Sequence, residues 1–282
     1  MARIFEGLER SCENSGEQIV SAPGFPGIER IEAHFYGEAF EPHRHDTYAI
    51  GVTLHGVQTF RYRGEKRVSR PGEIMILHPD EVHDGGAGTK DGLRYRMLYL
   101  EPSLLGRCLD RERSPLPFVA EPIVADVAFR KVLFAALGAL DEDLDELLVD
   151  DLVARIAESL ARHARRPLKS LAAPARRSAD LAREYLEANA TRLVRSEELE
   201  KVSGLDRYAL SRHFRAAFAT SPHRFLLMRR LQQARGMIGQ GEALAEIAFA
   251  TGFADQSHLS RQFKSAFGVT PGRWAELIRV GR

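Results

Sequence analysis

The stretch 210–218, LSRHFRAAF, returns 49 residues later as the stretch 259–267, LSRQFKSAF. Gly204 and Gly252 stand a few residues ahead of the two copies, and a hydroxyl residue followed by proline stands behind each. Two short helices joined by a tight turn form a helix-turn-helix, whose second helix enters the DNA major groove. Two such units predict a chain that reads successive major grooves, about 34 Å apart, on one side of a duplex.

The predicted second helices each have an apolar row and a polar row. Leu210, Phe214 and Phe218 recur every four residues, as do their counterparts in the second copy. The opposite rows carry arginine, hydroxyl and aromatic groups, which contact base edges and the thymine methyl group. An exposed side chain without a role is the alternative for any single position. The predicted DNA contacts are Tyr208, Ser211, Arg212 and Arg215 in the first unit, and Gln256, Ser257, His258, Ser260, Arg261 and Lys264 in the second.

The charges are unevenly distributed along the 282 residues. Residues 1–175 carry 22 Lys and Arg against 28 Asp and Glu, whereas residues 176–282 carry 18 against 11. The basic excess lies in the half with the repeat, where it would attract phosphates, and a solvated basic face is the alternative. Two cysteines are too few for a disulfide framework, and we find neither a signal peptide nor an apolar run of about 18 residues. We therefore expect a soluble cytoplasmic protein without a membrane partner.

The first half reads as a β-domain followed by helices. Alternating residues and frequent turn signals predict strands at 28–36, 48–54, 57–63, 72–77 and 94–100, in a small sandwich or barrel. After Pro117 the period becomes helical, which predicts helices at 127–140 and 144–163. The second helix has a leucine row from Leu144 to Leu160, which most often packs on its own domain; a dimer interface is the alternative.

The segment 165–175 has two prolines, small residues and no apolar period, as is typical of an interdomain linker. We therefore predict an α+β chain of two domains. The domains span residues 1–166 and 178–282, joined by a linker at 167–177, and the second domain is all-α. Further helices are expected at 178–189 and 223–238.

Residues 178–282 resemble the DNA-binding domain of the AraC/XylS family of bacterial transcription regulators. The matching residues are Ala245, Ile247, Ala248, Gly252, Phe253, Gln256, Ser257, Leu259, Ser260, Arg261, Phe263, Lys264 and the run 267–271, FGVTP. In that family the second unit has one more residue between the turn glycine and the helix leucine, and this chain shows the same difference. The resemblance implies double-stranded promoter DNA and RNA polymerase as partners, and activation rather than repression.

Two motifs in the first half resemble those of cupin barrels: Gly37-x5-His43-x-His45 and Gly72-x5-His78-x-Asp80-x2-His83. In metal-binding cupins, three such histidines and a glutamate bind a divalent ion, and here the glutamate's place falls on Ala49 or Ile50. His43, His45 and His83 could still hold a zinc-like or iron-like ion, with exposed or pocket-lining histidines as the alternative. No cofactor is expected to be required.

The cupin-like barrel also suggests where an effector would bind. Regulatory cupins of this family commonly bind a small effector at the barrel mouth, a usual place for a pocket. The candidate lining residues are His43, His45, Tyr48, Arg61, Tyr62, His83 and Tyr95, with core or rim packing as the alternative. We therefore predict a ligand-responsive transcriptional activator that is not an enzyme and that forms a homodimer supported by the helical segment 127–163 of its first domain. Two alternatives stay open: a metal-dependent cupin enzyme with a helical appendage, and a DNA-binding module with a ligand-blind dimerisation domain.

Overall fold

The computed structural model describes residues 16–109, 116–138, 140–164 and 172–280. The expectations for Cys12, for the N-terminal residues and for the part of the predicted linker region at 165–171 lie outside these ranges. The first half begins with the strands β1 (Gln18–Ser21), β2 (Ile28–Phe35), β3 (Glu38–His43), β4 (Tyr48–His55), β5 (Gln58–Tyr62), β6 (Glu65–Ser69), β7 (Ile74–Leu77), β8 (His83–Ala87) and β9 (Leu93–Leu100). It continues with α1 (Pro102–Cys108), β10 (Ile123–Val124), α2 (Val127–Leu137) and α3 (Glu146–His163).

The strands form two sheets, which confirms the cupin-like β-domain. In the larger sheet the order of these strands is β10-β7-β4-β9-β2-β1, and the smaller sheet has the order β3-β8-β5-β6. The five predicted strands are present with ends shifted by a residue or two. Strands β3 and β8, which carry His43 and His83, escaped prediction. Strand β3 contains a proline and has two register shifts in its pairing, and strand β8 contains two glycines. Neither strand therefore has a clear alternating pattern.

The leucine row of α3 packs on its own domain. Val149, Val153, Ile156 and Leu160 are buried in a core shared with α1, α2 and the outer face of the larger sheet. Leu152 is also only 2% exposed, so it is not free to join a partner chain. The alternative prediction, that this row forms a dimer interface, is therefore wrong for its central residues. The exposed leucines, Leu147 and Leu148, stand at the start of the helix.

The second half is helical. It consists of α4 (Ala173–Ala188), α5 (Ser196–Ser203), α6 (Arg207–Phe218), α7 (Pro222–Gly239), α8 (Leu244–Ala250), α9 (Gln256–Phe267) and α10 (Pro271–Leu277). Helix α4 begins inside the predicted linker because Pro174 suits the first turn of a helix, where an N–H has no partner. The remaining predicted helices are present, and none of the described helices is long and apolar enough to span a membrane.

The two halves share both a sheet and a core. The final strand, β11 (Ile278–Val280), pairs in parallel with β1 and extends the larger sheet. One continuous apolar core contains Phe35 and Met97 of the barrel together with Met228 of α7, Phe263 of α9 and Trp274 of α10. The first helix-turn-helix has a separate core around Leu210, Phe214 and Phe218. The second unit therefore lies directly against the barrel interior.

Candidate effector cavity and nucleic-acid interface

The two predicted recognition helices, α6 and α9, are built alike. Asp206 caps α6 by accepting from the N–H groups of Tyr208 and Ala209, and Asp255 caps α9 by accepting from that of His258. Both helices end on a residue with left-handed backbone, Ala219 and Gly268. Each helix thus has a defined start and end, which positions its outward row.

The predicted DNA contacts face outward on both helices. Tyr208 is 74% exposed. The other exposed members of the set are Arg212, Arg215, Gln256, Ser257 and Arg261, and the half-buried members are Ser211, His258, Ser260 and Lys264. The apolar rows are buried, with Phe214 and Phe263 fully inaccessible. The structure therefore presents two rows of suitable chemistry to solvent, and their contact with DNA stays a prediction.

Gly252 is required in the turn before α9. A Cβ there would lie 2.4 Å from the carbonyl oxygen of Thr191, and the backbone has φ +80°.

In the turn before α6, Glu200 accepts from both the backbone N–H and the Nε–H of Arg207. This acidic residue therefore ties the two helices of the first unit together.

A cavity of about 280 Å3 lies between the barrel and the second helix-turn-helix. The barrel wall includes Phe40 of β3 and three alternate residues of β9, which are Tyr95, Met97 and Tyr99. The opposite wall includes Met228, Gln232, Arg235, Phe267 and Trp274 from α7, α9 and α10. An occupant would therefore contact the barrel and the helical domain at once.

The three predicted histidines form one polar end of the cavity. One ring nitrogen of each of His43, His45 and His83 lies within 4.8 Å of the other two. Each Nδ1 is within hydrogen-bond distance of a backbone carbonyl, at 2.8 Å for Glu41, 3.0 Å for Thr47 and 2.9 Å for Glu81. Donation from Nδ1–H to these carbonyls leaves the lone pair on Nε2, so each ring offers an acceptor.

Burial favours the neutral form of these three imidazoles. It lowers the pKa of His43 and His45 well below the usual value, and the neighbouring His83 lowers it further. Burial also lowers the pKa of His83, although the carbonyl of Glu81 and nearby carboxylates oppose the change. A neutral imidazole with a fixed tautomer can accept a hydrogen bond or bind a metal ion.

The four other predicted pocket residues lie in three different places. Tyr95 lines the cavity. Tyr48 does not, because its side chain lies in the core with α1 to α3 and its hydroxyl donates to the Pro117 carbonyl at 2.9 Å. Arg61 and Tyr62 line a separate, more open pocket, to which His83 also contributes. The expectation that Tyr48, Arg61 and Tyr62 line one pocket with Tyr95 is therefore wrong.

Sequence reasoning missed most of the cavity wall. Met97 and Tyr99 could have been found, since residues two and four positions beyond Tyr95 share its face of the strand. Met228, Phe267 and Trp274 had no such signal, because their apolar character is equally explained by packing within a helical domain. The cavity depends on how the two domains meet.

Ion pairs join the domains around the cavity. Arg229 pairs with both Asp46 and Glu101, and Arg235 pairs with Glu29. Further pairs join Arg224 to Asp80, Lys264 to Glu41 and Arg273 to Glu17. Part of the basic excess of residues 176–282 therefore neutralises the acidic barrel, and Arg224, Arg229 and Arg235 are largely shielded from solvent.

A sensor-like barrel joined across a ligand-sized cavity to two helix-turn-helix units defines a ligand-sensing DNA-binding protein. Comparison with known sequences agrees for both halves. The family described as "AraC-like ligand binding domain" matches residues 25–157, and a "Helix-turn-helix domain" family matches residues 199–276. The chain belongs to the AraC family of transcriptional regulators and has an N-terminal ligand-binding domain.

Individual relatives are distant in sequence. The HTH-type transcriptional regulator YbfI of Bacillus subtilis (strain 168) is 27% identical over 240 residues, covering 81% of this chain and 86% of that protein. The XylDLEGF operon transcriptional activator of Pseudomonas putida is 22% identical, covering 79% and 73%. Wild-type ToxT from Vibrio cholerae, solved with a bound unsaturated fatty acid, superposes with a TM-score of 0.65 at 13% identity, covering 90% and 97%. That likeness shows a shared two-domain fold.

Proposed function

We propose that this regulator binds promoter DNA through α6 and α9, and that a small molecule in the interdomain cavity controls the binding. The observation that carries the proposal is the cavity wall, to which Met97 and Tyr99 contribute from the sensor and Met228 and Phe267 from the DNA-binding domain. A ligand that contacts both domains binds their closed arrangement better than a separated one, so it shifts the balance between them. The cavity volume of about 280 Å3 lies just below the usual range of about 300–1,000 Å3 for small-molecule sites.

The apolar and polar lining defines the kind of ligand. Phe40, Met97 and Trp274 suit an apolar body, while the three neutral histidines suit a hydrogen-bond donor at one end. Thermal-shift screening of the full chain against small acids, sugars and amines tests this proposal. A ligand present at 100 times its dissociation constant adds about 2.7 kcal/mol to the free energy of unfolding.

A matched pair of variants locates the binding site. Gln232→Trp would place a bulky side chain in the cavity wall, and Gln233→Trp adds the same side chain at the next, exposed position of α7. We expect a ligand to stabilise wild type and Gln233→Trp but not Gln232→Trp. A ligand that stabilises all three alike binds elsewhere. A screen without stabilising compounds would favour the ligand-blind alternative.

A second candidate ligand for the histidine cluster is a divalent metal ion. His43, His45 and His83 fit such an ion because their Nδ1 atoms face backbone carbonyls, an arrangement that orients metal-binding imidazoles. Three imidazoles would leave a coordination position open, as in catalytic zinc sites. The ion would supply Lewis acidity and charge at the polar end of the cavity.

Metal content after reconstitution of the full chain with Zn2+ or Fe2+ tests this candidate. We expect one ion per chain in wild type and no ion in His45→Ala. His55→Ala is the control, because it removes an exposed histidine and should still hold one ion. Wild type that retains no ion would refute it.

We propose that the cavity binds its ligand without transforming it. At the position where metal cupins have a glutamate, Ala49 lines the cavity with a methyl group and Ile50 packs on the opposite face of β4. The chain thus supplies no carboxylate from that position. Mass spectrometry of a bound ligand recovered after prolonged incubation tests this, and recovery of a chemically changed ligand would support the cupin enzyme alternative.

We further propose that the chain acts in the cytoplasm as a homodimeric activator that contacts RNA polymerase. The Pseudomonas putida relative is named an activator, and the exposed Leu147 and Leu148 offer a small apolar surface. Sedimentation should show a dimer that Leu147→Glu weakens and that Leu193→Glu, at another exposed leucine, leaves intact. Transcription in vitro from a promoter that the chain binds tests activation.

A further inference from the structure

Strand β3 of the barrel is attached to the C-terminal end of the recognition helix α9. The N–H of Glu41 donates to the carbonyl of Gly268 at 3.0 Å, and the N–H of Arg44 donates to that of Ser265 at 3.3 Å. The last carbonyls of a helix have no partner within the helix, and here two of them are satisfied by the barrel. The sensor domain therefore directly contacts a helix predicted to read DNA.

The contact extends to a charged residue of the predicted DNA-binding surface. Lys264 Nζ lies 2.7 Å from Glu41 Oε1, and the two side chains are 42% and 63% exposed. Lys264 lies one turn after Arg261 on the outward row of α9. A lysine ammonium is a compact charge, so its pairing with Glu41 competes with pairing to a DNA phosphate.

We propose that Glu41 is an autoinhibitory residue that restrains Lys264 and so lowers the affinity of the whole chain for DNA. This inference rests on the proposed function and adds its regulation. Phe40 and His43 of β3 and Phe267 of α9 also line the cavity, so the restraint lies beside the effector site. A Cβ on Gly268 would lie 2.8 Å from His43 Nδ1, which shows how closely the helix end approaches the histidine cluster.

The experiment uses the full chain and a duplex that the wild-type chain selects from a random-sequence pool. In wild type, the DNA must break the exposed ion pair between Glu41 and Lys264 before a phosphate can pair with the lysine. Glu41→Gln removes that pair, so this variant should bind the duplex roughly two- to five-fold tighter. The gain should shrink as salt rises, because exposed charges are screened. Glu38→Gln is the matched control, since it removes the same charge from an exposed position of the same strand.

A second pair of variants shows whether Lys264 transmits the effect. In a chain that already carries Lys264→Gln, adding Glu41→Gln should raise the affinity for the duplex only slightly. The increase should be no larger than the one that Glu38→Gln produces in wild type. An equal gain from Glu41→Gln and Glu38→Gln, or a gain that persists without Lys264, would overturn the inference while leaving DNA binding intact. Wild type that selects no sequence would overturn the proposed function and this inference together.

Discussion

Arg229 of the DNA-binding domain donates to Asp46 of the barrel across 2.8 Å, and the two side chains are only 12% and 3% exposed. The same guanidinium also contacts Glu101. Burial alone would lower the pKa of Arg229, but the two carboxylates raise it, so the arginine stays charged. These buried ion pairs join the two domains, because removing either side would leave an uncompensated buried charge.

Replacing this arginine should separate the domains. Arg229→Met leaves two carboxylates without their cation and is expected to lower the free energy of unfolding by about 3–5 kcal/mol. Urea denaturation measures the change. Arg235→Met is the control, because its pair with Glu29 is more exposed, with both side chains at 23%, and its loss should be smaller. Equal losses would contradict the special role of Arg229.

Two helix-ending glycines should respond differently to alanine. Gly204 and Gly268 have φ of +69° and +73°, so Ala costs backbone strain of about 1 kcal/mol at both. A Cβ meets nothing within 4 Å at Gly204 but lies 2.9 Å from the Glu41 carbonyl oxygen at Gly268. Gly268→Ala should therefore destabilise more and increase hydrogen exchange at the Glu41 amide. Identical exchange in both variants would show that β3 does not depend on this contact.

Stability should fall in mild acid because of His78. Its buried Nε2 accepts from the N–H of Val119 at 3.0 Å, and burial, followed by the charge of Arg63, lowers its pKa to about 4 from 6.5. Between these values the unfolded chain binds the proton and the folded chain does not, so stability present above pH 6.5 is lost as pH falls. The loss from His78 is about 1.4 kcal/mol per pH unit, roughly 3 kcal/mol in all.

Unfolding measured at several pH values checks this contribution. His78→Gln removes the titrating group, so its free energy of unfolding should change less steeply than that of wild type between pH 6.5 and 4. The same slope in both proteins would mean that His78 does not distinguish the folded from the unfolded state.

Arg261 should contribute to sequence preference. It is exposed on the outward row of α9, and an arginine contact to a base is worth about 1–3 kcal/mol. Arg261→Ala is expected to lose that much binding energy and to relax the preference at one or two base pairs. Arg177→Ala, at an exposed arginine of α4, should retain the wild-type preference. Binding-site selection with both variants measures this, and an unchanged preference in Arg261→Ala would refute the assignment.

The basic half of the chain should bind DNA through ionic contacts. We expect the affinity of the full chain for the selected duplex to fall steeply as salt rises, because each neutralised phosphate releases counterions. The number of contacts inferred from the slope should be lower than the basic excess suggests, since Arg224, Arg229 and Arg235 pair with the barrel. Titrations at several salt concentrations measure the slope, and salt-independent binding would contradict an ionic interface.

The histidine motifs show where prediction from sequence succeeded and where it stopped. The spacing of His43, His45 and His83 correctly placed three residues at one site, because the family motif relates positions on the paired strands β3 and β8 and just after β3. The same reasoning put Tyr48 in that site, although alternate residues of a strand face opposite sides and Tyr48 packs against the helices. A one-residue difference in strand register decides the face and is not visible in the motif.

The sequence by itself determined the two helix-turn-helix units. Their caps at Asp206 and Asp255 and their apolar rows involve residues within a few positions of one another, and helical geometry fixes those relationships. Only the tertiary structure decided that Phe267 closes a cavity against Met97, that Arg229 is buried between Asp46 and Glu101, and that Glu41 pairs with Lys264. These partners are 100 residues or more apart, and a local pattern cannot specify which surfaces of two domains will meet.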